Sequence, residues 1–315
     1  MQFLTLTLIK LFVLLNIVTN AEWANWRGPN MDGSSSAKNV PTKFSQTENI
    51  RWSIDMTGKA ASTPIISGGK VFITTTDKAK KELLAVAYDL KSGKEQWSEV
   101  VGKGLNQDNR SNYAGASPVS DGKHVVFFYG TGDMAVFSHD GKLRWKKNIQ
   151  EEYGKFYFLW TFSSSPIIHD GKIILQVLQR DTPVHPAQQG GGKQSSYILA
   201  LSLDEGKEIY KTPRPDEAKS ESKEAFSTPI IHELNGESQL LITGGDCITG
   251  HDPSTGKEIW RWGTWNPTKI GHWRLVPSPV AGNGVALACA PKGDPVYAVK
   301  LGKSGTLPDS SVSWK

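Results

Sequence analysis

Short apolar runs separated by Gly, Asp and Pro turns fill most of the chain beyond residue 60, and they recur in register. Each unit opens on Ser or Thr, then Pro, then an apolar run: Ser62-Thr-Pro-Ile-Ile66, Ser117-Pro-Val119, Ser165-Pro-Ile-Ile168, Ser227-Thr-Pro-Ile-Ile231 and Ser278-Pro-Val280. A turn leads to a second run, as in Asp121-Gly-Lys123 before Val125-Val-Phe-Phe128 and Asp170-Gly-Lys172 before Ile173-Ile-Leu175. Asp-Gly between two apolar runs is a strong hairpin signal. Each unit closes on a third run, a Gly-Lys turn and an aromatic, most sharply in Ala87-Tyr-Asp-Leu-Lys-Ser-Gly-Lys-Glu-Gln-Trp97 and His251-Asp-Pro-Ser-Thr-Gly-Lys-Glu-Ile-Trp260.

Four short strands and three turns in about 50 residues describe a propeller blade. The expected fold is an all-β propeller of four-stranded antiparallel blades with five units present. Proline at the start of an inner strand costs no ladder bond. The closing aromatics Trp52, Trp97, Trp145, Tyr210, Trp260 and Trp314 are expected to pack between blades, a structural role. Trp52 precedes the first complete unit and reads as the outer strand of a blade whose inner strands lie elsewhere. The fifth unit ends at Trp314, so an incomplete ring is expected, closed by further C-terminal blades or by a second chain.

Composition sharpens this picture. The 31 Gly, 17 Pro and 11 Trp among 315 residues favour turns over long helices. Residues 1–21 hold the apolar run Leu11 to Val18 after Lys10, which suits a cleavable signal peptide and is too short to span a bilayer. Residues 22–48 form a lead-in and 49–315 the propeller. No cysteine near Ala21 could accept a lipid, so a periplasmic or extracellular location is expected. Net charge is +5 with the cations scattered, which argues against nucleic-acid partners. Cys247 and Cys289 lack metal or haem spacing; they pair or remain two separate small hydrophobes.

The Gly-Lys-x-x-Trp units resemble the tryptophan-docking repeats of quinoprotein propellers. With Trp23-Ala-Asn-Trp-Arg-Gly-Pro-Asn-Met-Asp-Gly33, Gly244-Gly-Asp246, Trp265-Asn-Pro267 and Gly271-His-Trp-Arg274, the chain is similar to exported PQQ-binding-like β-propeller repeat proteins, a family likened to BamB. That resemblance implies an eight-bladed ring and, for the dehydrogenases, a quinone (PQQ) with Ca²⁺, adjacent cysteines in a vicinal disulfide and a Glu, Asn and Asp metal set. Cys247 and Cys289 are not adjacent.

Chemistry is expected in the loops that lead into each inner strand and those that join the second and third strands, since both lie on one face. The former are aromatic, as in Phe156-Tyr-Phe-Leu-Trp-Thr-Phe162 and Gly271-His-Trp-Arg274; the latter repeat an acid at Asp133, Asp181, Asp246 and Asp294, 15 residues after the repeat proline in three units and 17 in the other. Either each Asp caps its own turn, or the four line a pocket with Trp160, His272, Trp273 and Arg274 for a cation, sugar or peptide. The insertion Gln179 to Lys193 is a functional loop or a loose tip. No HExxH, nucleophile elbow or GxGxxG at a strand-to-helix junction appears, so no catalytic residue is named. The expected function is a non-catalytic binding or scaffold module for a protein or polymer in the envelope, with no cofactor. A PQQ-dependent oxidoreductase of sugars or alcohols is the alternative.

Overall fold

The computed structural model describes residues 22–38, 40–106 and 110–315, so the expected signal peptide lies outside the described residues. Five sheets follow one another. The first holds β1 (Ile65–Ser67), β2 (Lys70–Asp77), β3 (Glu82–Asp89) and β4 (Glu95–Lys103); the second holds β5 (Val119–Ser120), β6 (His124–Phe128), β7 (Asp133–Ser138) and β8 (Leu143–Asn148). After α1 (Ile149–Tyr153), the third holds β9 (Ile167–His169), β10 (Lys172–Val177), β11 (Tyr197–Ser202) and β12 (Glu208–Pro213). The fourth holds β13 (Ile230–Leu234), β14 (Glu237–Gly244), β15 (Cys247–His251) and β16 (Glu258–Trp262). The fifth holds β17 (Val280–Gly282), β18 (Val285–Cys289), β19 (Val296–Lys300) and β21 (Val312–Trp314), while β20 (Gly305–Thr306) joins β16 in parallel. Each blade is a four-stranded antiparallel meander, as the repeat demands.

The third strand of each of the first four blades is buried on both faces, whereas β19 of the fifth buries only Ala298 and Val299. In β3, Leu83, Ala85 and Ala87 pack with Phe72, Val125 and Phe127 between the first two blades. Leu84, Val86 and Tyr88 fill the opposite face with Val71 and Ile73.

Four of the closing aromatics dock on the blade that follows. Trp97 Nε1 donates to His139 O (3.0 Å), Trp52 Nε1 to Leu90 O (3.0 Å), Trp145 Nε1 to Leu203 O (2.8 Å) and Tyr210 OH to Pro253 O (3.1 Å). Each ring covers the glycine of the following turn. At Gly141 (φ 87°) a Cβ would lie 2.8 Å from Trp97 Cγ, so the site needs both the left-handed backbone and the missing side chain. Trp52 docks, yet residues 49–52 form no strand. Trp260 also departs from expectation: β20 runs beside it (Trp260 opposite Gly305), and its Nε1 donates to Gln239 Oε1 of its own blade. Trp314 remains 53% exposed.

A second ring of contacts explains the Ser/Thr-Pro repeat. Thr63 N donates to Ser117 Oγ (2.9 Å), Ser117 N to Ser165 Oγ (2.9 Å), Ser165 N to Thr228 Oγ1 (3.0 Å) and Thr228 N to Ser278 Oγ (2.8 Å). The residue before each proline thus links its blade to the next. The lead-in crosses the same inner strands: Trp23 pairs with Ile66, Ala24 O accepts from Ser120 N, Arg27 Nη1 donates to Pro279 O (2.9 Å), and Met31 Sδ accepts from Ile231 N. It ties four blades together across the inner edge.

Candidate binding face at the blade loops

The loops leading into the inner strands of the fourth and fifth blades are stitched by backbone to each other and to the β10–β11 loop of the third. Ala225 N donates to Leu178 O (3.1 Å), Leu275 N to Glu224 O (3.1 Å) and Phe226 N to Leu275 O (2.9 Å). Glu221, Ser222 and Glu224 lie against Leu159, Trp160, Trp273 and Arg274.

Trp160 and Arg274 meet there, around residues the sequence had not singled out. The Arg274 and Arg110 guanidiniums lie 5.5 and 4.7 Å from the Trp160 ring centroid. Glu221 Oε1 accepts from both Trp160 Nε1 (3.0 Å) and Arg274 Nη1. Beside it Arg180 Nε donates to Glu224 Oε1, and Leu159 N donates to Glu224 Oε2 (3.1 Å). Glu224 is wholly buried, and burial pushes its carboxyl up to about 7 despite Arg180. Lys223 Nζ joins Asp181 (3.3 Å) to Asp216 (3.2 Å), and burial raises the Asp216 carboxyl. Cations and carboxylates alternate across the cluster, each held by its neighbour.

The insertion folds back onto this cluster. Gln188, buried, donates to Phe158 O (2.9 Å), His185 Nε2 lies 2.8 Å from Leu159 O, and Tyr157 OH donates to Gly192 O (2.7 Å). His185 therefore holds the backbone beside Trp160.

The four repeated aspartates share no partner: Asp133 and Asp294 bond residues of their own blade near the loop, while Asp181 and Asp246 bond side chains of other loops. Asp133 accepts from Thr131 Oγ1 (2.7 Å) and Asn148 Nδ2 (3.1 Å), and Asp294 accepts from Tyr297 OH (2.9 Å). Asp181 faces Lys223. Asp246 is 7% exposed at φ 60°; its Oδ2 accepts from Asn266 Nδ2 (2.7 Å), its Oδ1 has no partner, and burial raises it to about 6. The wholly buried Arg214 fixes that loop through Gly244 O (2.6 Å) and Cys247 O (3.2 Å). Among the described residues, no three His, Cys, Asp or Glu side chains are grouped to hold a metal. His272 is exposed; Trp273 packs against the core of the last three blades, with its N–H on Ser222 Oγ (2.8 Å). Both cysteines are free, Cys247 buried in the fourth blade and Cys289 partly covered in the fifth.

Arg180 lies in the insertion and Glu221, Lys223 and Glu224 in a loop leading into an inner strand, both marked by the sequence. Arg214 and Asp216 gave no signal because they follow no repeat. No helix among the described residues is long and apolar enough to cross a membrane.

Residues 38–181 match the family described as outer membrane protein assembly factor BamB. No curated protein matches the chain. Among solved structures, a europium-containing methanol dehydrogenase aligns at TM-score 0.54 and 14% identity, over 89% of this chain and 54% of that one, so the chain spans about half its length. A quinohemoprotein alcohol dehydrogenase from Comamonas testosteroni aligns at TM-score 0.49 and 14% identity, over 79% and 42%. BamB from Moraxella catarrhalis aligns at TM-score 0.38 and 14% identity, over 79% and 70%. Likeness at this identity speaks for the fold, a propeller of PQQ-like repeats.

Proposed function

We propose that this β-propeller of PQQ-like repeats is a non-catalytic binding module, exported to the cell envelope, that takes a protein or polymer across the face around Trp160. The observation that carries this reading is the self-paired cluster of Trp160, Arg274, Glu221, Arg180 and Glu224. A surface whose charged side chains are already fixed loses little side-chain freedom on binding. It presents aromatic and guanidinium groups, the types that dominate recognition hot spots. The match to an assembly-factor family and the leader-like residues 1–21 support the envelope setting.

The vicinal disulfide that the dehydrogenase resemblance implies has no counterpart among the described residues, where Cys247 and Cys289 are both free and lie in different blades.

The test is site-specific photo-crosslinking in envelopes of the producing cell, with the probe at Trp160 and, as a perimeter control, at Leu143. A defined adduct from position 160 alone supports the reading. Dye reduction by purified protein given the quinone and Ca²⁺ overturns it.

A further inference from the structure

The lead-in meets three blades at one repeated point. Two residues on from the repeat proline stand Ile66, Ser120 and Ile231, in the innermost strands β1, β5 and β13. Each gives its N–H to the lead-in: Ile66 N to Trp23 O (3.0 Å), Ser120 N to Ala24 O (2.8 Å) and Ile231 N to Met31 Sδ (3.3 Å). Two of these acceptors are backbone carbonyls. The third is a thioether, a weaker acceptor and the one of the three that an oxidant can change.

The lead-in is folded so as to bring that sulfur to β13. Gly28 N donates to Asn25 O (3.0 Å), Met31 N to Gly28 O (3.1 Å) and Gly33 N to Arg27 O (2.9 Å). These turns place Met31 at φ 54°, a left-handed backbone that is costly for a residue with a Cβ. Its side chain, half-buried, packs against the apolar cluster of the last three blades. Of the other described methionines, Met134 is wholly buried in β7 and Met56 is half-buried.

We propose that Met31 is a site of reversible oxidation by hydrogen peroxide, and that its sulfoxide releases the lead-in from the fourth blade. A sulfur lone pair attacks one peroxide oxygen and the O–O bond breaks. The hydrogen on the attacked oxygen passes to the departing hydroxide, so the thioether is oxidised to a sulfoxide and the peroxide is reduced to water. The sulfur has then given up a lone pair and carries positive polarity, which no longer suits the Ile231 N–H, and a polar group stands against an apolar cluster. The strained backbone at Met31 loses the contact that holds it. Trp23 and Ala24 keep their backbone bonds to the first two blades, so the release is confined to the stretch beyond them. The proposal stands apart from the reading of the Trp160 face.

Peroxide treatment of the purified protein, followed by peptide mass spectrometry and amide hydrogen exchange, tests it. Sulfoxide is expected at Met31 and not at Met134. Exchange at Ile231 should quicken about fivefold or more while Ser120 is unchanged, tryptic cleavage after Arg27 should accelerate, and methionine sulfoxide reductases should restore both. Met31→Leu is expected to exchange fast at Ile231 from the start and to ignore peroxide; Met56→Leu should respond like the parent. An unmodified Met31 alongside an oxidised Met56, a Met31 sulfoxide that leaves exchange and cleavage unchanged, or a peroxide effect that persists in Met31→Leu overturns the proposal.

Discussion

The blade contacts and the binding face come from the same repeat and are built in opposite ways. Between blades, one contact is used again and again: an aromatic on a Gly turn outside, and a Ser or Thr hydroxyl receiving the neighbour's N–H inside. On the face no contact recurs. Asp133 bonds Thr131 and Asn148, Asp181 bonds Lys223, Asp246 bonds Asn266 and Asp294 bonds Tyr297. Repetition marks what holds the propeller together, and departure from it marks where recognition can be specific.

Substitutions can separate the two. The largest effect is expected at Trp97, whose ring packs on Phe72, Phe127 and Phe137. Trp97→Ala should cost about 3–5 kcal/mol in denaturant unfolding and leave ligand capture at Trp160 unchanged in the protein that remains folded. Glu224→Ala should cost about 3 kcal/mol, since it strands Arg180 in a mostly buried site, and should also abolish the Trp160 crosslink. If it cost stability without affecting capture, the face would be no more than a further blade contact. Ser117→Ala should cost about 1 kcal/mol by leaving Thr63 N without its partner.

Acidity offers a gentler probe of the same contrast. Burial raises Glu224 to about 7 and Asp246 to about 6, above their unfolded values. Folding then favours the protonated forms, so this part of the stability is fully present below about pH 4 and is lost as pH rises through 6 to 7. The melting temperature is expected to fall between pH 5 and pH 8, and Glu224→Gln should flatten that slope. The smallest effect is expected at Trp314, which is 53% exposed and covers no glycine turn. Trp314→Ala should stay within about 0.5 kcal/mol by thermal melting. A cost near that of Trp97→Ala would show that position in the repeat, rather than burial, sets the energy.

The blades were legible because a hairpin signal, a proline and an aromatic recur in the same order in each unit, and a docking ring needs a bare glycine beneath it. The exceptions arose where a distant segment intervened: β20 lies against β16 and turns Trp260 toward Gln239 of its own blade. The face was legible only in part. Trp160 and Arg274 stood out as aromatic and cationic loop residues, but Glu221, which bonds both, looked like any acid in a polar loop.

Local spacing therefore determined the strands, their order and the packing role of most closing aromatics, since these depend on contacts within a unit or with the next. The partners of Arg180, Arg214 and Glu224 and the crossing of the lead-in over four blades were decided by the tertiary structure alone. Those contacts join residues with no fixed separation along the chain, and a charge that looks solvated in sequence becomes buried or paired only once the blades meet.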